Sequence, residues 1–143
     1  MPACNFKGRF AARVLRQTKT TTVRRGVRFA VGDRFVGYYG MRTKRTVKLA
    51  EGRVVSAEVI QIARMGNGDV AIFVGGQRLD AEASAVLALA DGFPFASECG
   101  EFFEENYGLP VEGQLVRWEP EVLPEKEMKL RLARLAEFTG GAA

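Results

Sequence analysis

Glu51-Gly52-Arg53-Val54-Val55-Ser56-Ala57-Glu58-Val59-Ile60-Gln61-Ile62-Ala63 is the stretch on which the fold class turns. Val55, Ala57 and Val59 share one parity, and Val54, Ile60 and Ile62 share the other. A strand apolar on both parities is expected to be buried on much of both faces, as in a barrel or sandwich. Gly66-Asn67-Gly68 then reads as a turn, and residues 70–74 (VAIFV) as the next strand. Upstream, residues 34–39 read as a strand ended by Gly40, and Asn5-Phe6 as a short first strand. Thr20 to Val23 is β-branched throughout, which favours extended backbone. Downstream, residues 114–119 form a last strand with the only tryptophan, Trp118, expected to be a core anchor.

Helices flank these strands. Phe10, Ala11, Val14 and Leu15 fall at helical spacing and predict a short helix over 9–16. Residues 81–90 read as a second helix, with Asp80 as its N-cap and Asp91-Gly92-Phe93-Pro94 as its stop. Ser97 is expected to cap a third helix, with Phe102, Phe103 and Tyr107 on its buried side and Gly108 at its end. Pro124 opens a terminal helix with an apolar stripe of Met128, Leu132 and Leu135, which packs on its own chain or on a second copy; residues 140–143 read as a tail. The class is α+β, a small barrel-like sheet with a few packed helices.

Composition excludes several chemistries. The 143 residues are 47% hydrophobic and 27% charged, which is globular rather than disordered. No apolar run approaches the ~20 residues of a transmembrane helix, so no membrane partner is expected. Residues 1–9 hold no apolar run of signal-peptide length, and two cysteines, Cys4 and Cys99, fit free thiols in a reducing, cytoplasmic setting. With no histidine, Ser-His-Asp and Cys-His nucleophile pairs are excluded, and two cysteines cannot make a four-ligand zinc site. No metal and no cofactor is expected.

The net charge of +4 conceals an asymmetry. Residues 1–78 carry 16 Lys or Arg against 4 Asp or Glu, whereas residues 79–121 carry 1 against 10. A basic half of this strength can neutralise phosphates. Arg24, Arg25, Arg28, Arg42, Lys44, Arg45 and Lys48 are the candidate cations, and Tyr38 or Tyr39 between them the candidate ring for stacking a base.

Gln17-Thr18-Lys19-Thr20-Thr21-Thr22-Val23-Arg24 resembles the signature of the ASCH domain family, of the PUA-like superfamily. The family pattern is Gly-x-Lys-x-x-Glu-x-Arg after a short helix. Lys19 and Arg24 match it, whereas Gln17 stands for the glycine and Thr22 for the glutamate. In the same order, Val31-Gly32-Asp33 resembles the family's Gly-Asp turn, the stretch Tyr39-Gly40-Met41-Arg42-Thr43-Lys44 with Lys48-Leu49 a loop of bacteriophage and prophage members, and Ala90-Asp91-Gly92-Phe93 followed by Glu101-Phe102-Phe103 and Tyr107-Gly108 the closing helical segment. The resemblance covers about residues 5–119. It implies a PUA-like β-barrel domain over 1–122, with helices closing a cleft; the C-terminal amphipathic helix and tail over 123–143 lie outside it. It also implies binding of RNA or single-stranded nucleic acid, or of a nucleoside or nucleotide; the chain is expected to be a monomer or weak homodimer.

One branch of the family hydrolyses the amide of acetylated cytidine, and another is described as a ribonuclease. The amidohydrolase branch uses a lysine, a threonine three residues on and a glutamate near the closing helix, which map to Lys19, Thr22 and Asp91, the last one methylene shorter. A threonine hydroxyl needs a base, which a neutral lysine can supply, while a carboxylate moves the proton to the leaving amine. A third class is a protein–protein adaptor working through the acidic segment.

Overall fold

The computed structural model describes residues 3–140, so positions 141–143 of the expected tail lie outside the described residues. The elements run β1 (Ala3–Asn5), α1 (Gly8–Leu15), β2 (Thr21–Arg25), β3 (Arg34–Tyr39), β4 (Val47–Arg64), β5 (Val70–Val74), β6 (Gln77–Arg78), α2 (Ala81–Ala90), α3 (Ala96–Tyr107), β7 (Val111–Pro120) and α4 (Glu125–Phe138). The fold is mixed α+β.

Seven strands pair in the order β1-β3-β4-β5-β6, with β7 also on β4 and β2 on β7. β1 pairs parallel to β3, while β2–β7, β3–β4, β4–β5 and β5–β6 are antiparallel. The expected closed barrel is not formed: no pairing among the described residues joins β1 to β6. Closure needs a continuous run of ladder bonds, and these end strands have three and two residues before the chain turns away into α1 and α2. β4 corrects the same expectation. Val54, Ile60 and Ile62 are buried, but Val55 and Val59 are exposed. An open antiparallel sheet can leave one face to water. β4 also begins earlier than its apolar run suggested, so Lys48 is a strand residue and residues 40–46 connect β3 to β4.

The chain divides into two compact units, each assembled from separated segments. The first takes residues 1–20, 31–55 and 118–143. In its core Phe35 stacks on Trp118 with centroids 4.1 Å apart, and Phe6 tilts against both. Helix α1 buries Phe10, Ala11, Val14 and Leu15, the residues its spacing marks, and packs on α4, which buries Leu135. The second unit takes residues 21–30 and 56–117. Ile60, Ile62, Ala71, Ile72 and Val116 are buried on its strands, and Ala88, Phe93, Cys99 and Phe103 on and beside α2 and α3.

Asp80 caps α2 as expected, its carboxylate accepting from the Ala83 N–H at 2.7 Å. Ser97 does not cap α3. Phe95 holds the N-cap position without a side-chain bond, and Glu98 in the first turn supplies the charge that suits a helix N-terminus. No described helix is long and apolar enough to cross a membrane.

Candidate functional site

Two helix ends set the positions of the residues around the signature. In the first unit α1 closes in a Schellman arrangement: the Gln17 N–H donates to the Val14 carbonyl and the Thr18 N–H to the Arg13 carbonyl. This closure needs a left-handed residue, normally glycine, at the first position past the cap. Gln17 takes it, with φ 63°, and its amide Nε2 donates to the Glu121 carbonyl at 2.8 Å. Lys19 follows directly. Its backbone N–H also reaches the Arg13 carbonyl, and its ammonium lies 5.3 Å from the centre of the Phe10 ring. The residue is only 3% exposed.

In the second unit α2 ends the same way: the Gly92 N–H bonds to the Leu89 carbonyl and the Phe93 N–H to the Ala88 carbonyl. Backbone bonds close this turn, so it makes no demand on the carboxylate of Asp91, a residue 4% exposed. The Thr21 hydroxyl donates to the Ala90 carbonyl at 3.2 Å, which ties β2 to the end of α2. Thr22 stands opposite Val116, on the other face of β2 from Thr21, and is 5% exposed.

Five polar or charged residues are buried among those described: Lys19, Thr21, Thr22, Asp91 and Gln114. Buried polar groups are the informative exceptions in a core. Thr21 holds α2, and Gln114 holds the loop after β2. The other three are the three residues the resemblance names. Lys19 belongs to the first unit, and Thr22 and Asp91 to the second.

The candidate cations also divide. In the first unit, residues 40–46 form an internally bonded loop. The Gly40 carbonyl accepts from the Thr43 N–H and from both the Thr43 and Thr46 hydroxyls, and the Thr43 hydroxyl oxygen accepts from the Arg45 N–H. A Cβ on Gly40 would sit 2.5 Å from the Arg45 carbonyl oxygen, so the loop closes only around glycine. Arg42, Lys44 and Arg45 are exposed on it, and none has an acidic partner among the described residues. Lys48 is different: its ammonium meets Glu51 at 2.6 Å, and Glu51 also pairs with Arg34. The hydrogen bond from Lys48 holds the Glu51 carboxyl below its ordinary range, aided by the charges of Lys48, Arg34 and Arg131 and opposed by desolvation. Tyr39 is half-buried, its ring lying against the start of α1 at Gly8.

In the second unit, Arg24 is half-buried on β2 opposite Gln114, while Arg25 and Arg28 are exposed. The Arg25 guanidinium lies 5.6 Å over the ring of Tyr107. Tyr107 and Gln114 are the residues that sequence reading missed. Gln114 did carry a signal, being a polar residue on the parity of Val116 and Trp118. Also in this unit, an apolar cleft of about 490 Å³ between α2 and the strands has Arg117 as its one cation. Among the described residues, no group of three or more Cys, Asp or Glu side chains is placed to hold a metal ion.

Comparison of the chain with protein-family models, curated proteins and solved structures finds no match.

Proposed function

We propose that this protein binds RNA or another single-stranded nucleic acid through its exposed basic elements. The observation that carries the reading is the 40–46 loop. It presents three exposed cations with no carboxylate to neutralise them, on a backbone already ordered by its own hydrogen bonds. Charges left unpaired in this way attract phosphates, and a loop ordered in advance loses little entropy on binding. The kinship with ASCH domains is part of the proposal. Its support is that Gln17 adopts the left-handed conformation where the family pattern has glycine. The test is retention of a labelled single-stranded RNA by the purified protein at low salt. Retention supports the proposal, and its absence overturns it.

A second reading, a hydrolase acting on a modified nucleoside, draws on a different observation. Lys19, Thr22 and Asp91 are buried although each carries a polar or charged side chain. Incubation with acetylated cytidine, followed by mass spectrometry, tests it. Deacetylation that disappears in Lys19→Ala supports this reading, and deacetylation unchanged in that variant removes Lys19 from the chemistry.

A further inference from the structure

The loop after β2 is built more firmly than its sequence, Gly26-Val27-Arg28-Phe29, suggests. Gly26 turns the chain with φ 77°. The buried Gln114 side chain then grips the returning segment. Its Oε1 accepts from the N–H groups of Arg28 and Phe29 at 2.8 and 2.9 Å, and its Nε2 donates to the Phe29 carbonyl at 2.8 Å. One position earlier, Gly113 lies so close to the Arg24 carbonyl that a Cβ would collide with it. The loop is thus fixed at its base, yet its tip is apolar and open: Val27 is 82% exposed, between the exposed Arg25 and Arg28.

Beside this loop stands Tyr107, the last residue of α3, which is 43% exposed. Phe103 stacks on the ring at 5.9 Å and 25°, and the Arg25 guanidinium lies over it at 5.6 Å. Two stacked van der Waals contacts span about 7 Å. A planar group therefore enters between ring and guanidinium once Arg25 swings out by roughly 1.5 Å, and an exposed arginine without an acidic partner can do so.

We infer that Arg25, Val27 and Tyr107 form a seat for one unpaired base of a single-stranded nucleic acid. The inference rests on the nucleic-acid reading above and adds a site that recognises base faces rather than backbone charge. In a duplex these faces are already stacked, so the seat favours single strands.

The experiment compares two oligomers of about ten nucleotides with equal charge, one of uridines and one of abasic residues, by fluorescence anisotropy with the full chain. The wild-type protein is expected to bind the uridine strand about tenfold more tightly, the scale of one base–aromatic stack. Tyr107→Leu, which retains an apolar contact for Phe103, should lose that advantage and keep its affinity for the abasic strand. Tyr107→Phe should retain it. Equal binding of both strands by the wild-type protein leaves the nucleic-acid reading standing and overturns the seat. An advantage that survives in Tyr107→Leu also overturns the seat. Binding of neither strand overturns both.

Discussion

Replacing Arg42, Lys44 and Arg45 together with glutamine removes three positive charges from the 40–46 loop. The loop's hydrogen bonds should survive, because they run through Gly40, Thr43, Thr46 and the Arg45 backbone N–H. Each phosphate neutralised on a single strand contributes about 0.7 to the slope of log affinity against log salt. Three contacts therefore account for a slope of about 2. Over a fourfold rise in salt, from about 50 to about 200 mM, that slope corresponds to roughly a 20-fold loss of affinity. The wild-type protein should show that loss in addition to whatever the triple variant shows. The assay is an anisotropy titration of a labelled single-stranded RNA at several salt concentrations. Thermal melting serves as the control, and it should move little because exposed substitutions away from special contacts change stability by about 0.5 kcal/mol or less. A variant with wild-type slope and unchanged affinity refutes the assignment of the loop.

Three other predictions concern the scaffold. Gln17→Val should cost about 1–2 kcal/mol in denaturant unfolding, because a β-branched residue is strained at φ 63°, whereas Gln17→Gly should hold or raise stability. Gln114→Leu should cost about 3 kcal/mol, since it strands the Arg28 and Phe29 N–H groups and the Phe29 carbonyl; a cost under about 1 kcal/mol contradicts the grip described. Glu51→Gln should lower stability at neutral pH. Because the folded carboxyl titrates below its ordinary value of 4.5, the unfolded chain binds more protons between the two values. The wild-type advantage is therefore complete above the unfolded value and fades as pH falls through the folded one, which unfolding curves of the two proteins at several acidic pH values check.

Local chemistry made much of the fold legible. The β-branched run at Thr20 to Val23 does mark β2, Asp80 does cap α2, and the spacing of Phe10, Val14 and Leu15 does give the buried face of α1. What failed depends on partners distant in sequence. The apolar parities of residues 51–63 say that either face can be buried, and only strand pairing decides that Val55 and Val59 meet water. Closure of a sheet is likewise a property of end strands, and the two-residue β6 has too little pattern to announce itself. At the candidate site, nothing in the sequence announces that Lys19, Thr22 and Asp91 are buried, and the spacing that puts Tyr107 on the buried side of α3 misleads, since that residue is exposed. Its exposure follows from its place as the last helical residue before Gly108, where the chain turns with φ 74°. Gln17 takes, with φ 63°, the left-handed backbone that favours glycine, which its side chain does not announce.

The most direct test of nucleic-acid binding is the affinity of the unmodified full chain for a single-stranded RNA, measured from about 50 to about 200 mM salt. The account predicts binding whose log–log slope is −2 or steeper, since the 40–46 loop alone supplies about that much. A flat dependence on salt, or no binding at the lowest salt, would contradict it.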